Sequence, residues 1–599
     1  MRTALQALLL AGLAAWVYGP CLHGGWLWDD GLEVTRNLAL RSPGGWWEPW
    51  VRPAGMDYFP LKGSLQWIEW HLWGARPLGY HLSNLTLHVA SALLLWRLLG
   101  RLGVAAAYPG ALLFAVHPLA VESVAWISEF KNTVSLPFLL GACLAFVAFD
   151  RTGRRGAYVA ALLAFVAALA CKTSVVMFPV VLLLFAWWQR GRITGRDLAR
   201  AAPFFAASLA LGLATVHFQA ERAIGAGAAP VPLAARVGPA GWSILSYARQ
   251  AVWPTGLAPI YPAYAPGRPA WIPWGVVAGG VGLLWGARRG WGRPALLGSG
   301  WFLLNLVPVL GLLPMSYLRV APRADHFAYV SLVGFAGLAA AGLDGVVRRV
   351  RLSRFVSGLA AAAVVGVLAL AARDYAAVFR DEASLWTAAV RRNPDSWLAH
   401  NNLGEVDQRA GQPREAQVEY ARAVALRPDS PEAHANLGTT LEALGDATGA
   451  RRQYREALRL DPGFAGAHYD LGLSFLNLGS PDRAEEEFRA AVRLDPSRAT
   501  AHNNLGLALA RQQRFGEAIA EYAAALRLDP ALPEAHLNLG NGYFRTDRLE
   551  EAVAEYQVVL RLDPANAGGH ANLAQALRRL GRAAEAEQAL RAVPPGGKN

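Results

Sequence analysis

The feature that most constrains this chain is a period in its C-terminal third. Gly404, Gly438, Gly472, Gly506 and Gly540 stand 34 residues apart, and Ala574 continues the series. Pro394, Pro428, Pro462, Pro496, Pro530 and Pro564 keep the same step. So do Ala416, Ala450, Ala484, Ala518, Ala552 and Ala586, and the aromatic column Tyr420, Tyr454, Phe488, Tyr522 and Tyr556. A fixed step of this length means one helix-pair unit repeated, each burying its apolar face against its neighbours. Small residues let the paired helices approach, the aromatic fills the gap beside them, and proline ends the second helix. Residues 397–599 are therefore expected to form an α-solenoid of six repeats.

Period and pattern together are the tetratricopeptide signature. A half-repeat precedes the array as "FRDEASLWTAAVRRNP" (379–394), with Trp386 in the aromatic register. Residues 375–396 thus join the array to what comes before without a Gly/Ser-rich linker, which predicts a stiff connection. One column, Asn402, Asn436, Asp470, Asn504, Asn538 and Asn572, falls on the groove side of each first helix. It resembles the asparagine ladder of the repeats in O-linked N-acetylglucosamine transferases, which implies amides gripping an extended peptide backbone. The alternative is that it and the adjacent histidines (His400, His434, His468, His502, His536, His570) are repeat consensus with local hydrogen bonds. The histidines lie one repeat apart, too far for a shared metal.

The remainder reads as membrane. The chain is 54% hydrophobic and only 17% charged, with 22 Trp, against about one quarter charged in soluble domains. Apolar runs at about 4–20, 78–99, 104–125, 133–149, 157–171, 174–188, 201–218, 271–287, 295–314, 327–345 and 355–372 predict some eleven spans, since about 20 residues cross the hydrocarbon. Alternating sides places Arg97/Arg101, Arg151/Arg154/Arg155, Arg190/Arg192/Arg196/Arg200, Arg288/Arg289/Arg293 and Arg348/Arg349/Arg351/Arg354 on one side, the cytoplasmic one by the positive-inside rule. The array then lies outside an inner (cytoplasmic) membrane. "GWSILSYARQAVWP" (241–254) is expected to lie in the interface, because a span there would turn the later arginines outward. The net charge of +13 is a topology signal rather than a nucleic-acid footprint. Three cysteines make no disulfide framework or metal cluster. "GAGAAP" (225–230) lacks the lysine of a phosphate loop. Trp46, Trp47 and Trp50 suit an interfacial belt.

Ionisable groups at a membrane boundary are costly unless they face a polar cavity, and here they gather in the outer loops. "GGWLWDDGLEVTRN" (24–37) brings Asp29 and Asp30. "FAVHPLAVESVAWISEFKN" (114–132) brings His117, Glu122, Glu129 and Lys131, "CKTS" brings Lys172, and "RADHFAY" brings Arg323, Asp325, His326 and Tyr329. Convergent carboxylates and cations read as one site. A carboxylate can take a proton from an acceptor hydroxyl, and cations can neutralise a leaving phosphate.

These motifs, with "YFPLKGSLQWIEWHLWGARPLGYHLSNLTLHVASALL" (58–94), resemble in their order the bacterial relatives of the transmembrane-and-tetratricopeptide O-mannosyltransferases. The resemblance covers nearly the whole chain. It implies an all-α type-C glycosyltransferase bundle over 1–374, a polyprenyl-phosphate sugar as donor substrate, and Ser/Thr hydroxyls of extracytoplasmic polypeptide as acceptor, with mannose the sugar of the family. By position it implies Asp29 or Asp30 as base, Asp30 slightly favoured. Glu122 and Glu129 would shape the acceptor or ion site, and Lys131, Lys172, Arg323 and His326 would meet the donor phosphate. Two positions depart from the pattern, Phe130 in "SEFKN" and His326 in "DHF", where relatives carry Arg. No cofactor is named for certain; a divalent cation would find oxygen donors among these carboxylates. The rival reading is a non-enzymatic, membrane-anchored peptide-binding scaffold for envelope assembly.

Overall fold

A computed structural model describes every residue except 52–57, 220–230, 266, 314, 316, 352 and 593–599; the glycine-rich stretch 225–230 therefore lies outside the described residues. Among the described residues there are helices and turns and no β-strand. The chain divides into two units, Met1–Ala399 and His400–Asn599.

The first unit opens with α1 (Arg2–Leu22). A loop with a π-turn at Gly31–Thr35 leads through the short α2 (Glu48–Val51) to α3 (Pro60–Trp73) and α4 (Pro77–Arg101). There follow α5 (Ala107–Ala115), α6 (Val121–Ala125), α7 (Phe130–Thr152), α8 (Arg155–Cys171), α9 (Phe178–Arg190) and α10 (Gly195–Phe218). The unit closes with α11 (Leu233–Val252), α12 (Trp271–Gly286), α13 (Gly292–Leu306), α14 (Leu332–Val350), α15 (Arg354–Ala376) and α16 (Glu382–Arg392).

Among the described residues six helical stretches are long and apolar enough to cross a membrane: Thr3–Leu22, Pro77–Arg101, Ile127–Thr152, Thr173–Arg190, Gly195–Phe218 and Phe355–Phe379. A seventh arises if α5 and Pro118–Ala125, bent by 53°, form one span. This is fewer than the eleven expected, and the shortfall has local causes. α8 and α12 are 17 and 16 residues long, α13 stops after 15 at a Val307–Val309 turn, and α14 runs into Asp344, Arg348 and Arg349. The outward faces carry Leu209, Leu213, Val281, Leu283, Leu359 and Val367 exposed, the arrangement expected where lipid is the solvent. Most of the 241–254 stretch, up to Val252, is the second half of α11, which packs Ile244, Tyr247 and Ala251 against Phe302, Leu306 and Phe327.

α3 is inverted relative to a soluble amphipathic helix. Lys62, Gln66 and Glu69, at i, i+4 and i+7, are buried, while Ile68, Leu72 and Trp73 are exposed. Such a helix turns a polar face to the interior and an apolar one to lipid. Trp46, Trp47 and Trp50 are exposed beside it, with Trp47 stacked on Trp50 and tilted against Trp46.

The array comprises α17 (Trp397–Arg409), α18 (Pro413–Leu426), α19 (Pro431–Ala443), α20 (Ala447–Leu460), α21 (Ala465–Asn477), α22 (Pro481–Leu494), α23 (Ala499–Arg511), α24 (Phe515–Leu528), α25 (Pro533–Arg545), α26 (Leu549–Leu562), α27 (Ala567–Arg579) and α28 (Ala583–Arg591). The glycine column works by close approach. A Cβ on Gly438, Gly506 or Gly540 would stand 2.6–2.7 Å from the ring of Tyr454, Tyr522 or Tyr556. In the last repeat Ala574 is tolerated because Leu590 replaces the aromatic. The histidines are staples: His468, His502 and His536 each place Nδ1 2.6–2.7 Å from Glu487, Glu521 and Glu555, and Nε2 3.1–3.3 Å from the carbonyl of Pro462, Pro496 and Pro530. His434 uses Gln453 instead, and His400 meets Glu419. At His570 no partner stands for Nδ1, since the residue 19 further on is Ala589.

Candidate active site

The site is assembled from the ends of helices. α1 delivers the 23–30 loop, where Asp29 and Asp30 start a turn continued by the π-turn. The two carboxylates have different surroundings. Asp30 is fully buried, its Oδ2 accepting from Leu27 N–H (2.8 Å) and its Oδ1 from Ser128 N–H (2.8 Å) and Ser128 Oγ–H (2.6 Å). It pins the loop to the Ile127–Glu129 turn. Asp29 is half-buried, and its Oδ1 is buried with no hydrogen-bond partner. Burial first, then the charges of Glu33 and Glu129, push the Asp29 carboxyl up to about 6 against the pull of Lys131. Burial and the neighbouring Asp29 push Asp30 up to about 8 against its three donors. The two carboxylates therefore differ in what is left over: both oxygens of Asp30 accept hydrogen bonds, whereas Asp29 Oδ1 accepts none among the described residues.

Next to this loop lies a buried ionic network. Glu122 on α6 is fully buried; its Oε2 accepts from His326 N–H (3.0 Å) and its Oε1 lies 3.0 Å from His326 Nδ1. The other face of that imidazole looks to Glu129, with Nε2 3.7 Å from Oε1. Glu129 also pairs with Lys131 (3.2 Å) and Lys172 (3.7 Å) and accepts from Asn132 Nδ2. Lys172 Nζ donates to Asn132 Oδ1 (2.5 Å) and lies over the Phe327 ring (5.9 Å). Groups from α6, α7, the end of α8 and the 325–328 turn are therefore brought together although they lie far apart in sequence.

Not every expected member joins. Arg323 lies over Tyr261 (3.9 Å) and donates to Tyr264 Oη (3.1 Å). Asp325, fully buried, accepts from Tyr261 Oη–H (2.6 Å) and Tyr375 Oη–H (2.9 Å); burial and the Glu122 charge push it up to about 8. Both hold the 323–328 corner against tyrosines and leave His326 to face the network. His117 is interior: its Nδ1 accepts from Leu119 N–H (3.2 Å) and its Nε2 donates to Ala251 carbonyl (2.9 Å). Tyr329 is interior too, its Oη 2.8 Å from His88 Nδ1. Apolar walls that require satisfied polar groups, rather than chemistry, account for these two.

Lys62 and Glu33 belong to the site and carried no assignment from sequence. Lys62 pairs with Glu33, one turn after Asp29, and with Lys131 lowers the half-buried Glu33 carboxyl against the opposing effect of desolvation. The signal for Lys62 was the buried polar stripe of α3, which a hydropathy reading averages away. Among the described residues no group of three His, Cys, Asp or Glu side chains is disposed to hold a metal ion. Each network carboxylate already faces an N–H donor or a cation.

An apolar cavity of about 570 Å³ opens between α4, α7, α9, α13 and α14. Leu98, Phe146, Leu182 and Trp301 line it, and it reaches Asp344 and Arg348 near the end of α14.

In the array the ladder residues are linked to the preceding repeat. Asn436 donates to Asn401 (3.0 Å), Asn504 to Tyr469 Oη (2.9 Å), Asn538 to Asn503 (3.0 Å) and Asn572 to Asn541 (2.9 Å). Asp470 breaks the series beside Thr439 and Arg498, its carboxyl pushed by burial to about 6. Asn402 opens the column in the first repeat.

Comparison with known proteins finds similarity of a different kind in each part of the chain. Residues 60–218 match the family model described as dolichyl-phosphate-mannose-protein mannosyltransferase, and 407–463, 469–533 and 540–581 match tetratricopeptide-repeat models. Among individual proteins, the chain is 24% identical over 159 residues to Protein O-mannosyl-transferase F38B6.6 of Caenorhabditis elegans, a match covering 23% of this chain and 22% of that protein. Solved structures resembling the chain include PilF of Pseudomonas aeruginosa (22% identity, 33% of this chain, 92% of that one, TM-score 0.31). Another is YrrB, described as a repeat protein with an unusual peptide-binding site (22% identity, 31% and 96%, TM-score 0.28).

Proposed function

We propose that this protein is an integral membrane glycosyltransferase. It moves a sugar, with mannose the first candidate, from a polyprenyl-phosphate donor to Ser/Thr hydroxyls of a polypeptide gripped by the repeat array outside the inner membrane. The observation that carries the reading is the contrast between the unsatisfied Asp29 oxygen and the cation-rich network beside it. Asp29 takes the acceptor proton as the hydroxyl oxygen attacks the anomeric carbon, and the sugar–phosphate bond breaks. Lys131, Lys172 and His326 offset the charge that the departing phosphate gains, and Glu129 and Glu122 fix their directions. The match of 60–218 to a mannosyltransferase model supports the chemistry. The tetratricopeptide repeats, a solenoid fold with an extended binding surface, support the acceptor side of the reading.

The test is transfer of labelled sugar to Ser/Thr-containing peptide in liposomes holding the full-length protein and a polyprenyl-phosphate mannose or glucose donor. Transfer abolished by Asp29→Asn supports the reading. No transfer from any such donor, with peptide still bound, would leave a membrane-anchored scaffold.

A further inference from the structure

The half-repeat helix α16 is packed on the loop that carries Asp29. Trp28, the residue immediately before it, has φ +39°, a left-handed backbone that side chains other than glycine resist. Its N–H donates to Glu382 Oε1 (3.2 Å), and Gly25 N–H donates to the Arg380 carbonyl (3.0 Å). The Trp28 ring stacks on Trp126 (5.5 Å, 14°) and meets the buried Trp386 edge-on (5.2 Å, 71°). Glu382 and Trp386, at i and i+4, share one face of α16. Trp126 in turn packs edge-on to His326 (6.3 Å). A strained residue thus sits between the half-repeat and the ionic network, clamped from both sides. Such strain persists only where its surroundings over-determine it, and it clusters where geometry matters for chemistry.

We propose that Glu382 and Trp386 are positioning residues: they hold Trp28 left-handed and so aim the Asp29 carboxylate at the acceptor. The half-repeat is on this account part of the transfer machinery, not a spacer ahead of the array. The proposal rests on the reading of Asp29 as base, so its test carries one arm that needs no activity.

In the first arm the full-length protein in liposomes is compared with Trp386→Ala, Trp386→Phe, Glu382→Ala and Glu382→Gln. A base displaced by about 1 Å lowers kcat by around a hundredfold, so Trp386→Ala and Glu382→Ala lose kcat with donor KM little changed. Glu382→Gln keeps a carbonyl acceptor for Trp28 N–H and recovers most of the loss, as Trp386→Phe does in part. The acid limb of the pH profile also moves down, because burial is what lifts Asp29. In the second arm Asp29→Cys is labelled with a water-soluble thiol reagent; the native Cys21, Cys143 and Cys171 are all buried. Trp386→Ala speeds that labelling if α16 holds the loop. Unchanged labelling together with unchanged kcat and acid limb overturns the positioning role. Faster labelling in a protein that transfers no sugar upholds the clamp and removes the glycosyltransferase reading instead.

Discussion

At the scale of single residues, Asp29 and Asp30 part company because of what their neighbours donate. Asp30 is consumed by three hydrogen bonds that tie the first loop to Ser128. Asp29→Asn is expected to lower kcat by about 10²–10⁴, the usual share of a general base. Asp30→Asn keeps one acceptor oxygen but turns an NH2 toward either Leu27 N–H or Ser128 N–H, and costs about 1–3 kcal/mol of stability at that loop, read by hydrogen exchange at 27–30. The pH dependence has a definite sign. The base is the ionised form, so in wild-type protein kcat/KM falls as pH drops through about 6, where burial has lifted Asp29, rather than near 4. A pH profile of sugar transfer checks this. The adjacent pair is visible in the sequence, but the division of roles is not, because it depends on Ser128, 98 residues away.

At the scale of elements, each repeat is a test of close packing. Gly438→Ala drives a methyl to 2.6 Å from the Tyr454 ring and should cost about 1–3 kcal/mol, as overpacking does. Thermal unfolding of the full chain in detergent measures it. A second column runs Gly411, Gly445, Gly479, Gln513, Asp547 and Gly581, all left-handed at the turn between paired helices. Gln513→Gly relieves the side-chain strain there and should raise stability by about 0.5–1 kcal/mol by the same measurement. This column keeps the 34-residue step, so it was available to a sequence reading that followed only the helix-packing positions. α3 is the opposite case. Its polar face is buried and its apolar face exposed, so only knowledge of which side meets lipid turns Lys62 from a surface lysine into a partner of Glu33.

At the scale of the molecule, the chain divides into two units, and under the proposed function the first carries the chemistry and the second binds the acceptor. A protein ending at Ala399 is expected to keep transfer to short, concentrated Ser/Thr peptides. Its kcat/KM for a long unfolded acceptor should fall by about 10²–10⁴, the gain that linking a second binding module ordinarily gives. Liposome assays with both acceptors decide it; equal loss for both would put the array inside the chemistry itself.

What the sequence determined by itself is whatever recurs or is summed along the chain. The 34-residue step yielded six repeats, and the apolar composition marked lipid as solvent for the first unit, since periodicity and hydropathy are local sums. Tertiary structure alone decided which ionisable groups act together. Glu122, Glu129, Lys131, Lys172 and His326 meet through helix ends distant in sequence, whereas His117 and Tyr329, with equal claim on paper, turn inward. Charges interact over a few ångströms of space, not of chain, and a carboxylate's role follows from the donors it has left unfilled.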